Sequence, residues 1–452
     1  MESRRVHDCI WENRLFNAAQ ALRIPDSAIR ATGFTAVEQT RARARKGGKA
    51  AAACLHLGPD TTKLPFNPIA SRSHHMILLE NGPQGKAVIF DAPKSVIRAD
   101  SINDVAGALG AIDAALAAGR WVAGLASYEL GYAFEPRLAP LMPPGRNLPL
   151  LAFGVYDTPR RAEAVLARAA SEAATARLTA PVAGWGAPAH ARAMARVLAH
   201  IAAGDIYQAN LTLRMRAERG GTALGLYGAL RARQPVGHGA FVDLPDLPTI
   251  VSRSPELFFA TTADARIETR PMKGTAPRAS NPAHDAALRL ELQNSLKNRA
   301  ENLMIVDLLR NDMSRVCAVG SVRVPDLFAI ESYATVHQMV SRVTGRLIGG
   351  IRATDIFRAL FPCGSITGAP KIRAMEIIRD LEDTPRGIYC GSIGWMGPDG
   401  AGAFNVAIRT LTLLPGNRVE FGVGGGAVAD STAAGEYEEA LWKARFAQTA
   451  PA

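Results

Sequence analysis

Two passages hold the side chains best suited to chemistry. Thr269-Arg270-Pro271-Met272-Lys273-Gly274-Thr275 reads as a strand running into a loop, because Pro271 interrupts the extended run and Gly274 has freedom that a Cβ-bearing residue lacks. A lysine held at such a turn is a point charge on a fixed backbone. Lys297-Asn298-Arg299-Ala300-Glu301-Asn302-Leu303-Met304-Ile305-Val306-Asp307 reads as a helix, apolar nearly all round through Leu308 and Leu309, which predicts a buried helix. Glu301 falls on the stripe of Ile305 and Leu308, where a carboxylate is costly unless it meets a cation or a metal.

Other residues could complete a site. Glu256 stands among apolar neighbours in Arg253-Ser254-Pro255-Glu256-Leu257-Phe258-Phe259, where a raised pKa would suit a general acid; the plainer reading is an exposed residue beside a proline turn. The last helix places Glu436, Glu439 and Lys443 on one face. Periodicity alone favours a solvated face with a Glu439–Lys443 pair. A metal site would need a further acid, for which Glu301 is available, and oxygen-only ligation favours Mg²⁺ over zinc. The run Gly422-Val423-Gly424-Gly425-Gly426-Ala427 could converge backbone N–H groups on an anion, although such runs are more often tight turns. Gly364-Ser365-Ile366-Thr367-Gly368-Ala369-Pro370-Lys371 misses the GxxxxGK[ST] spacing of a nucleotide loop and reads as a helix start, with Thr367 near the cap and Pro370 in the first turn. No serine hydrolase elbow and no HExxH zinc motif occurs.

The elements that must position these residues come in groups. A basic extension covers residues 1–75, a first region 76–187 and a catalytic region 188–452. Convincing strands begin at Met76, which also leaves Met76 as a candidate natural start. A helix is expected near Ile102–Ala118 and another near Ala189–Ala203, ending at Gly204. Strands then dominate to Arg270, one helical stretch spans about Pro282–Arg315, and strands and helices alternate in groups to the end. Grouped strands favour α+β over a regular βαβ alternation.

Of the net charge of +11, more than half lies in residues 1–75, which hold twelve Lys or Arg against six Asp or Glu. The remainder lacks the aromatic-basic interleaving of single-strand binders, which speaks against a nucleic-acid protein. No apolar run approaches the ~20 residues of a membrane span. Five cysteines without a CxxC pair argue for a reducing cytoplasm.

Together these segments resemble the chorismate-utilising enzymes, a family that includes anthranilate, aminodeoxychorismate, isochorismate and salicylate synthases. The resemblance rests on Gly204-Asp205-Ile206-Tyr207-Gln208-Ala209-Asn210-Leu211, Ser254-Pro255-Glu256, Pro271–Thr275, Arg299-Ala300-Glu301-Asn302, Gly364–Lys371 and Gly424–Ser431. It covers Ala189 onward strongly and Met76–Tyr156 more loosely. The branches that add water carry a lysine where this chain has Gln208. Anthranilate synthases have PIAGT and aminodeoxychorismate synthases PIKGT, and this chain reads PMKGT, so the resemblance points to the aminodeoxychorismate branch.

The resemblance implies an α+β fold, a two-sheet antiparallel β-sandwich flanked by helices, with the N-terminal strands woven in. It also implies Mg²⁺ on Glu301 and Glu439, with Glu436 in the outer shell, bound to the ring carboxylate of chorismate. The second carboxylate would meet Tyr389, Arg409 and the backbone of Gly424, Gly425 and Gly426, with Gln208, Gly274 and Thr275 also at the substrate. Lys273 would act as nucleophile and Glu256 as general acid and then base. With no GxCxG glutaminase elbow present, ammonia would come from a separate glutamine amidotransferase subunit. Anthranilate synthase component I is the nearest alternative, opposed by Lys273; a non-catalytic chorismate-binding subunit is opposed by Glu256. Leu78-Leu79-Glu80-Asn81 is similar in type to the tryptophan site of anthranilate synthases but ends in Asn, and reads as an ordinary edge strand.

Overall fold

The computed structural model describes residues 75–333 and 336–448, so all but the last residue of the basic extension lies outside the described residues. Two sheets, of eleven and ten strands, lie face to face with helices over both outer surfaces. All strand pairs among the described residues are antiparallel.

Strand alternation explains the apolar runs. In Met76–Leu79, Ile77 and Leu79 point between the sheets while Met76 and Leu78 point to the covering helices, so all four are buried. Trp121–Ala126 does the same in the second sheet, with Ala123 and Leu125 inward and Val122 and Ala126 under helices. The strands of the 76–187 region enter both sheets: Met76–Leu79 and Val88–Asp91 in one, Ser95–Ala99, Trp121–Ala126 and Leu151–Tyr156 in the other. Met76–Leu79 pairs on both sides, which corrects the edge-strand reading, and the following Glu80 is engaged by Arg253 and by the Tyr227 hydroxyl.

Several elements differ from expectation for identifiable reasons. The helix Ala223–Arg233 carries Gly225 and Gly228 in its interior, a pattern that hides it in the sequence. Both glycines lie against the helix Glu163–Glu172: a Cβ on Gly228 would stand 2.0 Å from the Ala169 carbonyl oxygen. The stretch expected as one helix to Arg315 is two, Pro282–Asn294 and Leu296–Ser314, divided at Ser295, whose hydroxyl caps the second helix by accepting from the Asn298 N–H at 3.3 Å. Leu296–Ser314 buries one face (Asn302, Ile305, Val306, Leu309, Asp312, Met313) and exposes Leu303, so it is not apolar-packed all round. Thr367 does not cap the next helix. Its hydroxyl donates to the Cys363 carbonyl at 2.8 Å, and Pro370 is the cap of Lys371–Leu381. Lys371 points inward to Asp312 (2.6 Å) and the Leu360 carbonyl (2.8 Å), a structural role far from phosphate binding.

No helix among the described residues is long and apolar enough to cross a membrane. Lys371–Leu381 is joined to the strand Gln208–Gly220 by a buried ion pair. Arg386 donates to Glu382 at 2.8 and 2.7 Å, the same carboxylate accepts from the Thr212 N–H at 2.9 Å, and the guanidinium lies 4.5 Å over the Tyr128 ring. Arg386→Met leaves Glu382 charged, buried and unpaired, which costs about 3–5 kcal/mol. Urea denaturation reads this directly, and a loss below about 1 kcal/mol, the level of an exposed pair, contradicts it.

Candidate active site

At one end of the sandwich the strand Met272–Pro277, the helices Leu296–Ser314 and Ala433–Ala444, the turn Gly364–Ile366 and the strand Arg418–Ala427 enclose a cavity of about 670 Å³. Lys273 reaches it through a β-bulge. Met272 pairs with Val340 and Thr275 with Gln338, and the register shift between them lifts Lys273 and Gly274 out of the ladder. The expected loop is therefore a bulged strand. Gly274 adopts φ +91, a conformation disfavoured for side-chain-bearing residues, and a Cβ there would press on Asn298 at 3.0 Å. Gln338 pins the bulge from the neighbouring strand: its amide donates to the Gly274 carbonyl and accepts from the Thr275 hydroxyl, both at 2.9 Å.

Lys273 and Glu256 are shifted in opposite senses. Enclosure by protein lowers the Lys273 pKa from its ordinary value, partly opposed by Glu301, which moves the side chain toward the neutral amine. Burial pushes Glu256 up to about 7, although the Ser365 hydroxyl donates to its Oε1 at 2.8 Å and Lys273 stands near it. Its backbone is fixed as well, the Glu256 N–H donating to Ser254 Oγ at 3.2 Å.

Glu301, Glu436 and Glu439 all line the cavity. Burial raises Glu301, opposed by Lys273 and Lys297. Ser431 donates to Glu436 at 2.7 Å, and Lys443 bridges Glu439 and the Gly424 carbonyl, each at 2.7 Å. The Glu439–Lys443 pair expected from helical spacing is thus present, but it sits in the cavity wall. Among the described residues no three His, Cys, Asp or Glu side chains stand close enough together to hold a metal ion. The donor chemistry nevertheless fits a hard divalent cation: three carboxylates share one wall, and Glu436 adds to the repulsion that raises Glu301. Glu439 would have to leave Lys443 to join Glu301 on such an ion.

Arg409 and Tyr389 also line the cavity. Burial lowers Arg409 from its ordinary value while Glu256 opposes, and Arg409 holds φ +50, an uncommon backbone conformation for a non-glycine residue. The glycine run is not a loop or nest, contrary to the sequence reading. It continues the strand Arg418–Ala427, pairing Gly424 with Thr212, Gly425 with Leu211 and Gly426 with Asn210. Its glycines clear space instead. A Cβ would meet the Tyr389 ring at 2.4 Å on Gly422, Glu436 Oε2 at 2.3 Å on Gly425, and Lys273 Nζ at 2.8 Å on Gly426. Gln208 lies behind Gly426, 2.9 Å from the same point, fully buried, and neither it nor Gly425 lines the cavity. Lys273, Gly274, Thr275, Glu256, Tyr389, Arg409, Gly424, Gly426, Glu301, Glu436 and Glu439 do line it. Sequence reasoning gave no site role to Ser365, Lys297 or Lys443, although Ser365 lies within Gly364–Lys371, Lys297 opens the passage of Glu301 and Lys443 shares a helix face with Glu439.

A family model described as chorismate binding enzyme matches residues 74–449, and the chain belongs to that family. It is 42% identical over 340 residues to aminodeoxychorismate synthase component 1 of Klebsiella aerogenes, a match covering 71% of this chain and 74% of that one. The protein of the same name in Salmonella typhimurium is 46% identical over 248 residues, 55% of this chain and 54% of that one. The Bacillus subtilis protein of that name is 42% identical over 259 residues, 57% of this chain and 54% of that one. The chain therefore spans about half the length of the last two relatives. The fold is shared with anthranilate synthase component I of Streptococcus pneumoniae (TM-score 0.66, 24% identity, 93% of this chain and 96% of that one). It is shared too with a menaquinone-specific isochorismate synthase of Escherichia coli (TM-score 0.64, 16% identity, 83% and 88%).

Gly426→Ala tests the space-clearing role. The added methyl forces Lys273 and the buried Gln208 amide aside, and turnover of chorismate falls by about tenfold or more, while the melting temperature changes by only a few degrees. Wild-type turnover in the variant would show that Lys273 needs no such clearance.

Proposed function

We propose that this chain converts chorismate and ammonia to 4-amino-4-deoxychorismate through a lysine adduct. The observation that carries the reading is the pairing in one cavity of an amine pushed toward its neutral form, Lys273, with a carboxyl pushed up to about 7, Glu256. A nucleophile and a general acid are what displacement of a ring hydroxyl requires. The identities to aminodeoxychorismate synthases, and Lys273 where anthranilate synthases carry alanine, favour this product over anthranilate.

In this reading the two carboxylates of chorismate take different walls. Arg409, Tyr389 and the backbone of the glycine strand hold one of them, the arginine by charge-assisted hydrogen bonds. Glu301 and Glu439, with Glu436 behind, would hold a Mg²⁺ for the other. When bound, that ion would neutralise the ring carboxylate and draw electron density from the ring. Lys273 Nζ forms a bond to ring C2 as both ring double bonds shift by one position and the C4–O bond breaks. Glu256 gives its proton to the departing hydroxyl, which leaves as water. Ammonia then adds at C4, the Lys273–C2 bond breaks with the reverse shift, and Glu256 recovers the proton that the new amine sheds. The amine nitrogen is supplied by a separate glutamine amidotransferase subunit, with free ammonia as a poorer source. The buried free thiols of Cys317, Cys363 and Cys390 support a cytoplasmic setting.

The protonation states set a pH window. The acid form of Glu256 is present below about pH 7 and is lost above it; neutral Lys273 is gained as pH rises. The rate with chorismate therefore follows a bell. The test is to mix the protein with chorismate, Mg²⁺ and ammonium across pH and identify the product by mass spectrometry. The expected product keeps the enolpyruvyl group and exchanges a hydroxyl for an amine, along a bell-shaped profile, and its formation stops when the cation is chelated. Anthranilate as product, or no turnover with or without a glutaminase partner, contradicts the proposal.

A further inference from the structure

Ser365 lines the cavity, is buried, and belongs to none of the roles described above except its bond to Glu256. It stands on the short turn Gly364–Ile366, which is held rigidly. The Thr367 hydroxyl ties back to the Cys363 carbonyl at 2.8 Å, and a Cβ on Gly364 would lie 2.4 Å from Leu308 Cδ2, so the turn sits directly against the helix Leu296–Ser314.

A serine hydroxyl has one proton. Ser365 gives it to Glu256 Oε1, and its lone pairs face the Cys363 thiol at 3.2 Å. A donor on Oε1 disfavours protonation there, because a carboxyl oxygen that carries the proton accepts a hydrogen bond more weakly than one that does not. We propose that Ser365 is a positioning residue for Glu256: by holding Oε1 it assigns the exchangeable proton to Oε2, and it stabilises the carboxylate left once that proton is given up. The inference rests on Glu256 acting as acid and base in the proposed reaction. A residue that must work in both directions gains from a partner that steadies its ionised form without accepting its proton.

The groups facing Glu256 are Lys273 and the Met272 backbone from the bulged strand, Arg409 from the loop before Thr410–Leu413, and Cys363 and Ser365 from the turn. Burial favours the acid form, and on the ionised side Ser365 contributes most, ahead of Lys273 and Arg409. Removing the hydroxyl therefore moves Glu256 toward still higher pH.

The experiment compares wild type with Ser365→Ala and Ser365→Thr. One readout is the pH profile of chorismate turnover with ammonium. The other is an infrared titration of the Glu256 carboxyl stretch without substrate, assigned by its loss in Glu256→Gln. In Ser365→Ala the midpoint rises by about one pH unit and turnover falls by about tenfold; Ser365→Thr, which keeps the hydroxyl, restores both. An unchanged infrared midpoint in Ser365→Ala overturns the inference, as does a shifted midpoint with turnover intact. If the wild type turns over no chorismate at all, the proposed function fails, while the infrared midpoint still decides whether Ser365 governs Glu256.

Discussion

The site depends on enclosing in protein an amine and a carboxyl that would otherwise be fully charged at neutral pH. In solvent Lys273 would be a cation and Glu256 an anion, and neither could do displacement chemistry. Burial moves both toward neutrality, lowering Lys273 and raising Glu256 to about 7. The two shifts are coupled, since each charged form favours the other. The cavity thus holds a balance between an ion pair and a neutral pair. The surrounding Glu301 and Lys443 adjust it, because Glu301 pulls Lys273 toward its charged form while Lys443 pushes it back.

The fold supplies that burial from two directions. The glycine strand brings backbone so close that only hydrogen atoms fit between it and Tyr389, Glu436 and Lys273. Across the cavity, the bulge at Lys273–Gly274 turns a strand residue out of its ladder, and Gln338 fixes the displaced backbone. The bulge costs sheet regularity, and both devices sit where a rigid sheet is most useful for holding side chains in fixed positions. The buried Arg386–Glu382 pair extends the same rigidity to the turn that carries Tyr389.

Much of this was legible in the sequence wherever the cause was local. Runs such as Met76-Ile77-Leu78-Leu79 predict buried strands, and the apolar company of Glu256 predicts a raised pKa. What failed depends on partners distant in the chain. Gly422–Gly426 looks like a loop because the strand Gln208–Gly220 that pairs with it lies some two hundred residues earlier. The helix Ala223–Arg233 is disguised by glycines that exist only to let another helix approach. Lys443 lies on a face that reads as solvated until the strand carrying Gly424 is placed beside it. Ser365 has no periodicity to betray it, since its importance comes from meeting Glu256 across 109 residues of chain.

The central claim, that Lys273 is a neutral nucleophile in this cavity, is tested most directly by intact-protein mass spectrometry. The protein would be mixed with chorismate and Mg²⁺ in the absence of ammonia and quenched within the first turnover. The account predicts a species heavier by chorismate less one water, mapped to the peptide containing Lys273, absent in Lys273→Ala and discharged by added ammonium. An unmodified protein under conditions where ammonium supports turnover, or a Lys273→Ala variant that makes aminodeoxychorismate at the wild-type rate, would contradict it.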